Sequence, residues 1–391
     1  MQAALQGIRV LDMALVGPGP FCAVILGDLG ADIIKIHRPH PERRGGPLLF
    51  QFPDTPGFPG LRNCRTMGLD LKSDDGRRIF HELAKTADVV IESLRPGVVK
   101  RLGIDYDAIK EINTRIVYAS LSGFGQDGPY HDMVGHDINY ISYGGLLGLT
   151  GTSGGPPAIP GITVADFAAG GMATAIGILA AIASRSRTGV GQFIDISMTD
   201  GVVALMGEWI NPYLSMGTVS RRGETWLSGK YPWYNVYETK DGRYVSIAAV
   251  EPWFYENLCR LLGCEEFIEC QYAESDKQKE IFTRFRKVFL TKTRDEWVEI
   301  LRREDTCVAP VYSIEELVFD PQLLARGAIR DMPHPALGSV RQVGPMFRMS
   351  DSQFEVRNWT TGFGQHTDEL LLELGYDAAR IAGLRRADVV S

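Results

Sequence analysis

Charge is missing from one long stretch of this 391-residue chain. Residues 138–184 span 47 positions, and the chain is 23% charged, yet Asp166 is the only ionised side chain there. Average usage would place about 11. A basic surplus is also missing. The 41 basic and 48 acidic residues leave a net charge of -7, which excludes a nucleic-acid footprint, and no block of like charges forms a tail or membrane patch. A small-molecule partner is expected instead. The cysteines (Cys22, Cys64, Cys259, Cys264, Cys270 and Cys307) lack the CxxC spacing of zinc sites, and the N-terminus has no basic-then-apolar leader. Reduced thiols in the cytoplasm are therefore expected. The most membrane-like stretch, residues 167–183, is rich in Gly and Ala rather than Leu and is about one turn short of a comfortable span. It reads as a buried helix.

Nucleotide and metal signatures are lacking too. After a first apolar run, Gly17-Pro18-Gly19-Pro20 invites a dinucleotide reading, but the fingerprint needs a third glycine where Cys22 stands. Pro18 and Pro20 also remove backbone donors that a pyrophosphate would need. No GxxxxGK[ST] loop occurs, and the histidines show no HExxH spacing. No metal and no prosthetic group is expected. Repeats, low-complexity tracts and heptads are absent.

What remains is an alternating pattern. Residues 8–13 read as a strand, 21–29 as a helix stopped by Gly30, and 32–36 as a second strand. Residues 76–86 follow as a helix, with strands at 88–93 and 115–120. Such alternation implies a parallel sheet with helices on both faces. The small-residue helix near 167–184 leads to a strand within 189–198, centred on Gln192-Phe193-Ile194-Asp195-Ile196, and a helix at 200–216. From Tyr234 the texture changes: strands at 236–239 and 243–250 flank Lys240-Asp241-Gly242, a hairpin signal, and amphipathic helices follow at 252–262, 277–290 and 294–304. A final helix covers 367–374. The expected division is a large α/β domain over 1–218, a smaller α+β domain over 219–325, and a segment over 326–391 that returns to the large domain.

One titratable residue borders the charge-poor stretch and one lies within it. His136 lies in Gly135-His136-Asp137-Ile138-Asn139-Tyr140, between a polar loop and an apolar run, where Asp137 or a neighbour would cap a helix start. Asp166 precedes Phe167-Ala168-Ala169-Gly170-Gly171 and has two readings. It is a simple N-cap, or a carboxyl whose pKa is raised by a dry setting so that it can exchange a proton near neutrality. Lys35, Arg38, Arg62, Arg65, Lys72, Arg95, Lys100 and Arg101 fall at or beyond strand ends, where an open parallel sheet binds its ligands and arginines suit phosphates.

Taken together, these segments resemble the class III coenzyme A transferases of the CaiB/BaiF type, a family that includes α-methylacyl-CoA racemases. The resemblance rests on Gly17-Pro18-Gly19-Pro20 with Leu26-Gly27-Asp28-Leu29-Gly30-Ala31-Asp32, on Leu69-Asp70-Leu71-Lys72, and on Arg95-Pro96-Gly97 with Arg101-Leu102-Gly103. It extends through Ser122-Gly123-Phe124-Gly125, Ala165-Asp166-Phe167, Gly189-Val190-Gly191-Gln192 and Gly364-Gln365-His366-Thr367.

The resemblance implies a Rossmann-like parallel-sheet large domain, a smaller α+β domain and an interlocked homodimer. The segment from Gly135 to Tyr140 looks like the racemase signature, with His136 and Asp166 as the two acid/base residues. Glu251, in Val250-Glu251-Pro252, matches the glutamate that hydrogen-bonds the catalytic histidine. In the transferases the residue matching Asp166 is instead a nucleophile that forms an aspartyl-CoA thioester under a mobile glycine-rich loop. Residues 221–229 here are not glycine-rich, which favours racemisation at C2 of 2-methylacyl-CoA thioesters over CoA transfer between carboxylic acids. The coenzyme A of the substrate is expected to contact Arg38, Leu69, Asp70, Leu71, Lys72, Ser93, Leu94, Arg95, Arg101, Gly135, Asp137, Ile138, Asn139 and Tyr140. His37 departs from the family, where an acidic residue is usual.

Overall fold

The computed structural model describes residues 3–14, 17–40 and 61–391. Its chain divides into two compact units: Met1–Gly144 with Gly161–Met206 and Leu324–Ser391, and Gly145–Pro160 with Gly207–Leu323. Residues 145–160 and 207–218, expected in the large domain, thus fall in the second unit.

Up to residue 206, the described residues of the first unit form β1 (Arg9–Asp12), β2 (Asp32–His37), β3 (Leu61–Arg62), β4 (Cys64–Gly68), β5 (Val89–Glu92), β6 (Val117–Ser122) and β7 (Phe193–Ser197). Six of them form one parallel sheet in the order β4-β2-β1-β5-β6-β7. Val89-Val90-Ile91 and Ile33-Ile34 are fully buried because a parallel sheet is covered on both faces. On one side Ile79, Phe80, Leu83 and Ala84 of helix Asp74–Thr86 join Leu370, Leu371, Ile381 and Leu384 in a core over the sheet. That helix starts where Ser73 Oγ accepts Gly76 N–H at 2.9 Å, and Asp74 and Asp75 suit its positive end. On the other side helix Pro18–Asp28 packs against the long helix over 165–188.

That long helix departs from expectation twice. It runs unbroken from Ala165 to Thr188, 24 residues and long enough by length and composition to cross a membrane, with a π-helical start at Ala165–Met172 and an α-helical remainder at Ala173–Thr188. Nor is it a wholly buried helix, since Ile176 is 67% exposed. Its underside is fixed to the sheet by Arg185, buried, which donates to Asp88 Oδ1 at 2.8 Å and to Arg115 O at 2.9 Å. The helix expected over 200–216 is two, Met198–Leu205 and Gly207–Met216, with Pro212 inside the second.

The second unit carries β8 (Tyr234–Glu238), β9 (Tyr244–Ala248) and β10 (Val308–Pro310) as an antiparallel sheet in the order β10-β9-β8. The expected hairpin joins β8 to β9, with Gly242 at φ 70°. Helices Pro252–Leu262, Ser275–Phe289 and Arg294–Leu301 supply the rest of its core around Trp233, Tyr237, Tyr255, Phe285 and Phe289. Back in the first unit, β11 (Ile329–His334) and β12 (Gly338–Val343) form a hairpin, and β13 (Trp359–Thr360) pairs antiparallel with β3.

Candidate active site

All six strands of the parallel sheet end on one edge, and the candidate residues of the first unit collect there. β2 ends at His37 before Arg38, β4 at Gly68 before Leu69, and β5 at Glu92 before Ser93. β6 ends at Ser122, and the loop beyond it leads to His136. The winding reverses between β1 and β5, which opens the crevice where such sheets bind ligands.

The loop after β1 explains the Gly-Pro repeat. Pro18 opens helix Pro18–Asp28, where its fixed φ suits the first turn. Gly17 stands at φ 62°, and a Cβ there would lie 3.0 Å from Asp166 Oδ2. The repeat therefore makes room for a carboxylate, not for a nucleotide.

Asp166 is not an N-cap. Val164 holds that position in a helical conformation, and Asp166 lies inside the first turn of the π-helix. Its own N–H is what needs a partner, and Asp137 Oδ1 accepts it at 3.1 Å. Asp137 is buried as the first residue of helix Asp137–Tyr143, so one carboxylate joins the helix that begins after His136 to the helix that carries Asp166. The helix start itself is held by Asn139 Oδ1, which accepts His136 N–H at 3.0 Å. Of the capping residues expected, Asp137 or a neighbour, it is the neighbour Asn139 that holds the helix start, while Asp137 reaches across to Asp166.

Electrostatics follow from this arrangement. Burial, then repulsion from Asp137, pushes the Asp166 carboxyl up to about 6, against a smaller lowering by His136. An exposed imidazole and a half-buried carboxyl thus lie close enough for the His136 side chain to act on Asp166. Tyr140, buried, donates its hydroxyl to Gly135 O at 2.5 Å. Its ring fills the space that a Cβ on Gly123 or on Gly135 would need, which accounts for both glycines and sets the approach of the loop to His136. The phenol is raised by burial and by Asp166.

Other expected residues are distributed unevenly. Arg38, Lys72, Arg95, Lys100 and Arg101 are exposed along the strand-end edge, and Ser93, Leu94 and Leu71 are partly so. Leu69 instead points into the core, and its strand-like backbone pairs with Val390. Asp70 turns the chain: its Oδ1 accepts Lys72 N–H at 3.1 Å, and its N–H donates to Val389 O at 2.8 Å. Ile138 and Asn139 are exposed beside His136.

Three of the strand-end cations are structural. Lys35 is buried against Asp12, with Nζ 2.5 Å from Oδ2. Arg62 pairs with Asp28 at 2.7 Å, and Arg65 pairs with Asp32, Glu369 and Glu373. His37 is also structural: its Nε2 accepts Gly364 N–H at 2.9 Å, and its Nδ1 lies 2.8 Å from Arg38 O. A neutral imidazole meets both partners by donating from Nδ1, which an acid at this position would not do.

In the second unit Glu251 is the N-cap residue of helix Pro252–Leu262. The preceding carbonyl, Val250 O, accepts the buried Gln271 amide at 2.7 Å. The Cys307 thiol is raised by burial and then by the Glu251 charge.

Glu92 was not among the expected site residues. It closes β5, is 1% exposed, and accepts Leu94 N–H at 2.8 Å. The signal was an acid ending an otherwise wholly apolar parallel strand, Val89-Val90-Ile91-Glu92.

Comparison with known proteins gives the family. The pattern of CoA-transferase family III matches residues 5–367. The human alpha-methylacyl-CoA racemase is 34% identical over 99% of this chain and 97% of its own length. An acyl-CoA transferase of Fusarium pseudograminearum is 32% identical over 100% of this chain and 89% of its own. A CAIB/BAIF family protein from Brucella suis, known as a crystal structure, superposes with a TM-score of 0.82 at 27% identity, covering 96% of this chain and 100% of that one. The chain belongs to CoA-transferase family III, an enzyme family acting on acyl-CoA.

Proposed function

We propose that this enzyme racemises or epimerises 2-methylacyl-CoA thioesters at C2 by moving a proton between His136 and Asp166. The observation that carries the reading is the Asp137 link, which joins the helix start after His136 to the helix start at Asp166, beside a carboxyl that burial raises to about 6. The similarity to the human racemase supports it.

The reaction requires that the C2–H bond break on one face and re-form on the other. For one enantiomer neutral His136 takes the C2 proton, the electron pair moves onto the thioester oxygen as an enolate, and the protonated Asp166 delivers its proton to the opposite face. For the other enantiomer ionised Asp166 is the base and the imidazolium of His136 is the acid. The enolate oxygen needs donors, and the backbone N–H at Asp137 would serve as one. Arg38, Lys72, Arg95 and Arg101 would hold the phosphates of coenzyme A on the strand-end edge. Within the same proposal the enzyme is a homodimer in which Glu251 supports the charged form of His136, and a stable, active monomer in sedimentation would count against that part.

CoA transfer through an Asp166 thioester is the competing chemistry, favoured by the similarity to the Fusarium transferase. One incubation separates them: a chiral 2-methylacyl-CoA in heavy water, with and without an acceptor acid. Deuterium at C2 with loss of optical purity supports racemisation. Acceptor-dependent transfer and a CoA adduct on Asp166, without deuterium, contradicts it.

A further inference from the structure

Glu92 stands at the tip of β5, on the strand that borders the reversal of the sheet, where the mechanism above uses no carboxyl. Its side chain is enclosed, and its Oε2 accepts the backbone Leu94 N–H at 2.8 Å. The turn that follows presents Arg95, closes through Val98 N–H to Arg95 O at 3.1 Å, and brings Gly97 beneath the Arg101 guanidinium, which a Cβ on Gly97 would meet at 3.5 Å. Leu94 itself packs against the core. The same device recurs two strands away. Asp195 of β7 lies in register with Ser120 of β6, which is in register with Glu92, and Asp195 Oδ2 accepts Gln126 N–H at 3.0 Å in the loop beyond β6.

We infer that Glu92 is a positioning residue: through Leu94 N–H its carboxyl sets the 93–97 turn so that Arg95 and Arg101 meet the anionic coenzyme A portion of the substrate. The inference rests on the acyl-CoA reading of this edge. Because an ionised carboxylate is a stronger acceptor than a neutral acid, the protonation state of Glu92 tunes the turn. Burial, followed by the charge of Asp195, pushes Glu92 up to about 7 against the hydrogen bonds from Ser120 and Leu94 N–H. The groups facing it are accounted for on each side. Asp195 and Tyr118 lie toward β7 and β6, Tyr118 donating its hydroxyl to Ile104 O. Toward β1, Asp12 is in register with Ile91 and is paired with Lys35. The turn is therefore held more firmly as pH rises through neutrality.

The test uses the full-length protein labelled with 15N-leucine, coenzyme A as the probe, and the variants Glu92→Gln and Glu92→Val. The Leu94 amide resonance of the wild type should titrate with a midpoint near 7, and that titration should vanish in Glu92→Gln. Coenzyme A affinity should weaken between pH 8 and pH 6 by about five-fold more in the wild type than in Glu92→Gln. Glu92→Val should raise KM more than it lowers kcat. A Leu94 amide that does not titrate, or a Glu92→Gln variant that keeps the wild-type pH dependence of binding, overturns the inference alone. Wild-type protein that binds no coenzyme A overturns the acyl-CoA reading and this inference with it.

Discussion

Asp137 Oδ1 accepts the backbone N–H of Asp166 at 3.1 Å, and the same carboxylate raises the proton affinity of the Asp166 side chain. Burial raises the Asp166 carboxyl most, and Asp137 both adds to that rise and holds the Asp166 backbone. Asp137→Asn keeps an acceptor and removes the charge, so the Asp166 pKa should fall below about 6. In the direction where ionised Asp166 is the base, kcat/KM is lost as pH falls through that pKa, and the variant should move this limb to lower pH. Asp137→Ala removes the acceptor as well and should cost a further ten-fold or so in rate, about the worth of one hydrogen bond. A pH series of kcat/KM for each enantiomer reads both effects.

Gly17 meets Asp166 from the other side. At φ 62° an alanine is strained, and its Cβ would stand 3.0 Å from Asp166 Oδ2. Gly17→Ala should lower stability by about 1–2 kcal/mol and displace the carboxyl, cutting proton exchange by at least ten-fold. Chemical denaturation and the exchange rate together check this, and a variant as stable and active as the wild type would refute the close approach.

Arg185 anchors the far end of the same long helix. Arg185 is 4% exposed, and its guanidinium is held by Asp88 and the carbonyl of Arg115. Arg185→Met leaves Asp88 without this partner and should lower stability by about 3 kcal/mol, in line with the loss of one member of a buried pair. Since the residue lies away from the strand-end edge, the pH profile of the remaining activity should not move.

Asp166 is also expected to reduce stability where it serves the chemistry. Its folded pKa is about 6 against an ordinary 3.8, so the folded chain binds the proton more tightly than the unfolded one. Stability is then fully present below pH 3.8 and declines as pH rises to about 6, where the cost levels off. The side chain is only half-buried, so after solvent screening the cost is about 1 kcal/mol. Asp166→Asn should remove this pH-dependent loss and be slightly more stable at neutral pH, which urea titrations at pH 5 and pH 7.5 would show.

The parallel sheet was legible because its strands are continuous Val/Ile runs separated by amphipathic helices, as in Val89-Val90-Ile91 and Ile33-Ile34. His136 and Asp166 were singled out by their motif and by the empty charge pattern around them, and the structure adds the Asp137 link between their helix starts. Contacts between distant residues were not. Asp137 bonds a residue 29 positions away, and Lys35 is neutralised by Asp12 from a neighbouring strand, so neither role leaves a local signal. The apolar run over 138–184 counts missing charges but says nothing of what covers them, and Ile159, Ile162 and Ile176 stand exposed. His37 looked like a departure near a ligand because its partner, Gly364 N–H, comes from the other end of the chain.

The central claim is that the proton at C2 passes between His136 and Asp166, and mass spectrometry of the thioester recovered from heavy water tests it most directly. With wild-type enzyme, one deuterium should enter at C2 as optical purity is lost, and Asp166→Asn should retain coenzyme A binding while abolishing inversion. Inversion that survives in Asp166→Asn, or wild-type turnover that transfers coenzyme A without deuterium at C2, would contradict the account.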